Sequence, residues 1–347
     1  MTSLEQNFQG RRVVVTGGAG FIGSNLVRRL VGLGANVRVL DSLIVDSGAN
    51  LFNLRGVESR IERCVADLGD VKKVGPLVAG CDLVFNLAGH INHLASISDP
   101  VRDLALNCES QLRFLEVCRA QGGGMKIVFT STRQVYGAQD VLPVDENVPP
   151  RPCDVNGIHK LAAEAYHLMY SRVHGIRTTV LRLSNVYGPR MLVRPGAGTP
   201  LMGRLICKAL DGETLEVFGD GKQLRDVVDV EDAVDGLLAA ACAPGVDGEI
   251  INLGGTEVAT VGELARAVLE AAGGGTLENV PFPVNRKTID IGSIYLDCAK
   301  AARLLGWRPR VSLGEGLARA VAYHREHRRE YWSPRAHALT SVANTSV

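Results

Sequence analysis

Four glycines near the N-terminus carry the first chemistry. Gly18, Gly20 and Gly23 stand at the spacing of a dinucleotide-binding turn, with Gly17 one residue earlier. Glycine is needed there because the chain turns tightly, brings backbone N–H groups against a pyrophosphate and packs a helix closely on a strand. An apolar run, Val13-Val14-Val15, leads into the turn, and a helical pattern starts at once with Phe21, Leu26, Val27 and Leu30. The N-terminus of such a helix faces phosphates with its partial positive charge. A second strand, residues 36–40, ends in Asp41. An acid at that strand end can take both hydroxyls of an adenosine ribose. The cofactor this predicts is NAD, because Asp41 would repel a 2′-phosphate and Ser42-Leu43 offer no arginine to pair with one.

These groups need strands that deliver them to one edge. Residues 60–67 read as a third strand ending in another acid, Asp67. Residues 82–89 read as a buried strand running into Leu87, Ala88 and Gly89, small enough at its end for a cofactor to lie against it. Residues 126–132 form the next strand and 178–183 a further one. Between them fall a loop with a short helix (42–54), a helix over 71–78, one over 99–119 with Leu104, Leu112 and Leu115 at helical spacing, and one over 157–170. Strands alternating with helices predict an α/β fold with a doubly wound, Rossmann-like parallel sheet. Ligands then sit beyond the C-terminal strand ends, where Asp41, Asp67, Ala88 and Thr132 would lie. The chain divides into an NAD-binding domain (1–184, with later segments returning to it), a smaller α/β substrate-binding region (185–330) and a polar tail (331–347).

The 347 residues are 46% hydrophobic with a net charge of +1, which suits a soluble enzyme-sized chain. Near-neutrality gives no electrostatic case for nucleic acid or an anionic membrane surface. No apolar run approaches the roughly 18 residues of a membrane span, and residues 1–10 lack an apolar signal core. Eight scattered cysteines without a C-x-x-C pair suggest small core residues rather than disulfides or a metal site, and a cytoplasmic location is expected.

Further motifs carry a resemblance. They are residues 16–23 (Thr-Gly-Gly-Ala-Gly-Phe-Ile-Gly), Asp67-Leu68, Asn86 to Gly89, Asn107, Ser131-Thr132 before Val135-Tyr136-Gly137, Lys160, Asn185 to Arg190, Arg225 to Val228 and Leu305-Gly306-Trp307. With these, the chain resembles the extended short-chain dehydrogenase/reductase family, specifically its nucleotide-sugar epimerases and dehydratases, from about residue 12 to 323. The resemblance implies that Gly17, Gly20 and Gly23, with Phe21 and Ile22, line the pyrophosphate. Asp41 would hold the adenosine ribose, Asp67 and Leu68 the adenine, and Leu87, Ala88, Gly89 and Asn107 would complete the cofactor site. Lys160 would hold the nicotinamide ribose and Thr132 the reacting sugar hydroxyl. Asn185, Arg225, Arg286 and Lys287 would grip the substrate diphosphate, for which forked guanidinium donors are suited.

Two departures stand out. The family motif is Tyr-x-x-x-Lys, and Asn156 occupies the tyrosine position before Lys160. An amide has no titratable proton near neutrality and cannot be the general base. Arg133-Gln134 stand where the family's dehydratases carry an acid pair after the threonine, and its UDP-glucuronate decarboxylases have Glu at the Arg133 position. Dehydration by the usual route is therefore disfavoured. Cys153, Asp154 and His159 flank the vacated position. His90, directly after Gly89, is the preferred replacement base, with His93 behind it on the substrate side. Water relayed through Thr132 and Lys160 is equally admissible.

The expected activity is NAD-dependent nucleotide-sugar epimerisation, at carbon 4, through a transient keto-sugar. The alternatives are an oxidoreductase or decarboxylase of the same family, or a non-catalytic NAD(H)-binding sensor or scaffold. The resemblance also implies a homodimer through helices 99–119 and 157–170, with Leu112, Leu161 and Leu168 on their outer faces.

Overall fold

The computed structural model describes residues 3–44, 47–122, 124–195 and 198–332. Six strands alternate with helices from the N-terminus: β1 (Arg12–Thr16), β2 (Asn36–Asp41), β3 (Ile61–Val65), β4 (Leu83–Asn86), β5 (Lys126–Thr132) and β6 (Arg177–Leu183). β7 (Asn185–Tyr187), β8 (Leu215–Phe218), β9 (Leu224–Asp229), β10 (Ile250–Leu253), β11 (Val258–Thr260) and β12 (Leu277–Val280) follow. β10 joins the first six in a seven-stranded sheet of order β10-β6-β5-β4-β1-β2-β3, with every pairing parallel. The chain winds outward in opposite directions from β1, so the crevice between β1 and β4 is the switch point where such sheets bind ligands.

Alternation along β1 builds the two layers. Val13 and Val15 enter one core and Val14 the other, all fully buried. The later strands form two small sheets, β11-β9-β7 and β12-β8, over a core of their own that includes Met202, Leu205, Val217, Leu264 and Val268. Among the described residues, no helix is long and apolar enough to cross a membrane.

Several expected elements shift. The helix predicted over 99–119 is three pieces: Pro100–Leu104, a π turn over Ala105–Glu109, and Ser110–Ala120. The π turn carries Asn107, whose amide donates to Asp103 Oδ2 (3.0 Å) and to the His90 carbonyl (3.0 Å) while accepting from the His90 N–H (2.8 Å). A separate helix, His93–Ser98, forms in the preceding loop. The helix predicted over 157–170 runs Val155–His174, started by the Asp154 carboxylate on Gly157 N (2.6 Å) and ended by Gly175 at φ +67°. The tail does not begin at Tyr331. That side chain is buried, with its hydroxyl on Asn53 and Tyr323, and Trp332 donates to Asp211; the remainder, 333–347, lies outside the described residues. Leu112, Leu161 and Leu168 pack half-buried against three different cores, and the exposed large apolar side chains described on these helices are Val101, Leu104, Ile158 and Val173.

Candidate active site

One cavity of about 540 Å³ runs along the C-terminal strand ends into the small sheets. Its first wall is the turn after β1. Gly17 holds φ +68°, and the Gly20 N–H returns to its carbonyl (3.1 Å). A Cβ on Gly23 would run into that same carbonyl oxygen, and one on Gly18 would meet Val39 Cγ1 at 2.7 Å. Only glycine closes this turn. The helix Phe21–Gly32 starts here with no side-chain cap, which leaves its first N–H groups for a ligand. Asp41 at the end of β2 accepts from Ala19 N and Leu43 N, 2.9 Å each, and burial pushes its carboxyl up from the ordinary value. Every residue expected at the cofactor lines this cavity except Asn107, which braces the His90 backbone from behind.

Thr132, Asn156, Lys160, His90 and His93 line the middle of the cavity. Asn156 and Lys160, one helical turn apart, share a face of the helix Val155–His174. Burial lowers Lys160 to about 8; its ammonium donates to the Thr130 carbonyl (3.2 Å) and lies 5.0 Å from the Phe129 ring centroid. Asn156 Nδ2 is committed to the His90 carbonyl (2.7 Å) and Asp103 Oδ2 (3.3 Å). Asp103 is a buried hub. Burial opposes its charge, but the surrounding His90 and His159 imidazoles and the Asn107 and Asn156 amides hold its carboxyl at about 2. His159 Nδ1 stands 2.7 Å from it, whereas His90 Nδ1 is 3.7 Å away. No tyrosine is among the described lining residues.

The far end is rich in guanidinium. Arg225, on β9, is held by the Leu224 carbonyl (2.8 Å), the Gly292 carbonyl and Asp290 Oδ1 (3.4 Å). Arg286 lines the cavity too, but the adjacent Lys287 is exposed outside it. Asn185 presents a buried Nδ2 without a hydrogen-bond partner among the described residues, as does Arg133 Nε. Burial and the neighbouring charge of Arg225 lower Arg133 to about 10. Arg204, Phe218 and Phe282 complete this end, with Arg204 4.6 Å over the Phe218 ring. Sequence reading missed these three. Arg204 sits in a helix with no motif, and the two phenylalanines come from strands and loops 64 residues apart, a count from positions 218 and 282. Arg133 registered only as a departure, although its place directly after Thr132 was the signal.

Residues 13–254 match the NAD dependent epimerase/dehydratase family. The chain belongs to this family. A UDP-glucose 4-epimerase of Mycolicibacterium smegmatis is 34% identical over 317 residues, 90% of this chain and 98% of that one. The UDP-glucose 4-epimerase of Thermotoga maritima, solved with UDP-glucose, superposes with a TM-score of 0.81 at 33% identity, covering 91% of this chain and 99% of that one. A UDP-glucuronic acid 4-epimerase of Bacillus cereus, solved with UDP-glucuronic acid and NAD, gives 0.82 at 28% identity, with 91% and 99% covered. The relatives also include a dTDP-glucose 4,6-dehydratase and a UDP-glucuronic acid decarboxylase. The family's cofactor is NAD, and the residues present fit it: a turn with no room for a Cβ at Gly18 or Gly23, an uncapped helix start and a strand-end carboxylate lie together at one end.

Proposed function

We propose that this protein is an NAD-dependent nucleotide-sugar epimerase acting at carbon 4. The observation that carries the reading is a single cavity with the glycine turn and Asp41 at one end, four arginines at the other, and Thr132 and Lys160 between. Bound NAD supplies a hydride acceptor that can give the hydride back, so a sugar carbinol can be oxidised and then reduced on its other face without net change. The glycine turn and helix N-terminus hold the cofactor pyrophosphate, and Asp41 holds the adenosine ribose through the lone pairs its two backbone bonds leave free. Lys160 orients the nicotinamide ribose with its desolvated ammonium, and Thr132 hydrogen-bonds the reacting hydroxyl. Arg225, Arg286 and Asn185 grip the substrate diphosphate, while Phe218 and Phe282 offer rings against which a nucleotide base can lie. Asn156 serves as scaffold, its amide holding the His90 loop against Asp103. The absence of an acid at position 133 argues against the dehydratase and decarboxylase chemistries of the relatives.

The reading is tested by incubating the purified protein and NAD with UDP-glucose, UDP-galactose, UDP-N-acetylglucosamine and UDP-glucuronate, then separating products by anion exchange and assigning them by NMR. Conversion to the carbon-4 epimer without accumulation of NADH supports it. No conversion of any sugar, or release of carbon dioxide, overturns it.

The working unit of this reading is a homodimer in the cytoplasm. Val101, Leu104 and Ile158 expose apolar surface on two helices packed side by side, and all eight cysteines are unpaired. Ile158→Glu should convert a dimer seen in light scattering to a monomer; a monomeric starting protein refutes the dimer.

A further inference from the structure

Two histidines are among the described residues of the cavity, and their surroundings differ. His90 Nδ1 lies 3.7 Å from Asp103 Oδ2, beyond hydrogen-bond range, and that carboxylate is already engaged by His159, Asn107 and Asn156. His93 Nδ1 lies 2.7 Å from Asp154 Oδ2. Asp154 is buried, and its other oxygen is fixed by Gly157 N at 2.6 Å, while Gln134 Nε2 braces Oδ2 at 3.2 Å. Burial disfavours its charge, but the His93 hydrogen bond and ion pair, followed by the Gly157 and Gln134 bonds, keep its carboxyl below the usual range.

An ionised carboxylate only accepts, so His93 Nδ1 carries the proton in this pair. In its neutral form the ring then has its lone pair on Nε2, and the side chain, 37% exposed, lines the cavity. The pair is also tied to the expected sugar contact, because the Gln134 that braces Asp154 donates its own N–H to Thr132 Oγ1 at 3.2 Å. Asp154 caps the same helix that carries Asn156 and Lys160. A buried acid orienting, through Nδ1, an imidazole that lines a ligand cavity is the arrangement of a general base held in one tautomer.

We infer that His93, held by Asp154, moves the proton of the reacting sugar hydroxyl; this rests on the epimerase reading above. In the forward step the O–H bond breaks, the proton goes to His93 Nε2, and the O–H electron pair becomes the second bond of the ketone as the carbon's hydride leaves for NAD. The return step reverses each transfer on the opposite face, and the imidazolium gives its proton back to the alkoxide. Asp154 stays ionised throughout and is a positioning residue. Asn156, with no titratable proton, needs no part in the transfer.

The test is a set of three proteins, wild type, His93→Asn and Asp154→Asn, each with its NAD content, melting temperature, nucleotide-sugar Kd and kcat against pH. Asparagine at 154 can still cap the helix. The other charged groups facing this cavity segment, Lys160 from the helix, Arg133 from the turn after β5 and His90 from the same loop, remain in all three. His93→Asn should lower kcat by about a hundredfold or more, with NAD content and Kd near wild type, no acidic limb in the pH profile, and partial rescue by added imidazole. Asp154→Asn should move the acidic limb to lower pH, because the imidazolium loses its counter-charge. Wild-type turnover that survives His93→Asn, or a loss that imidazole does not rescue with the pH profile unchanged, overturns the proton role alone. A wild-type protein that converts no nucleotide sugar overturns the epimerase reading, and the proton role with it.

Discussion

The two ends of the cavity are built in different ways. In the proposed reading the recognition groups at the cofactor end are backbone N–H groups in one turn and the carboxylates Asp41 and Asp67, delivered by β1, β2, β3 and the residues just after them. At the sugar end they are side chains gathered from distant places: His93 and Asp154 are 61 residues apart, and Arg225 is held by Asp290, 65 residues further on. The first kind of site follows from local conformation alone. The second exists only once the tertiary fold has closed, so its parts can change one at a time without disturbing the scaffold.

Gly23→Ala should give the largest effect and break the cofactor end outright. Its methyl group would collide with backbone rather than a movable side chain. We expect loss of co-purified NAD and about 1–3 kcal/mol of destabilisation, read from melting and from absorbance of the released nucleotide. Arg225→Ala acts at the opposite end. It should weaken nucleotide-sugar binding by about 2–4 kcal/mol in calorimetry and leave NAD content unchanged, since one partner of a desolvated charge pair is lost. If both ligands were lost together, the two ends would not be independent.

Lys160 sits where the ends meet, and its effect is smaller. Its amine is lowered from 10.5 to about 8 in the fold. Between those values the unfolded chain holds the proton and the folded chain does not, so stability rises with pH. The stability of wild type relative to Lys160→Met should therefore climb from about pH 8 towards 10.5, by on the order of 1–3 kcal/mol in urea melts. A flat difference would mean that the ammonium is solvated in the fold. Asp41→Asn should have the mildest consequence, narrowing the preference for NAD over NADP by about tenfold in parallel titrations while the sugar end is untouched.

The same contrast explains what could be read from the sequence. The glycine turn and Asp41 were legible because each is encoded within a few residues, and the doubly wound parallel sheet because its strands and helices alternate along the chain. Thr132, Asn156 and Lys160 were expected at the site from the family resemblance, and they line the cavity from one strand and one helix. The π turn at Ala105–Glu109 was not legible, because its residues keep helical composition and the widening accompanies contacts that Asn107 makes with His90 and Asp103. Lys287 was expected with Arg286 from the family resemblance, but consecutive positions of a helical turn point different ways, and Lys287 is exposed. The pairing of His93 with Asp154 has no signature in either segment.

The gathering of Arg133, Arg204, Arg225 and Arg286 at one end of the cavity also bears on how fast a ligand arrives. The chain as a whole carries a net charge of only +1, so its overall charge gives an anion little pull at a distance. That end of the cavity is different. In the proposed reading, the charge of the four guanidinium groups, focused between low-dielectric walls, draws a diphosphate towards them before any contact forms. That reach extends about 10 Å at 0.1 M ionic strength and shortens as salt is added. Association should slow in salt while the dissociation of a seated, desolvated ligand changes little.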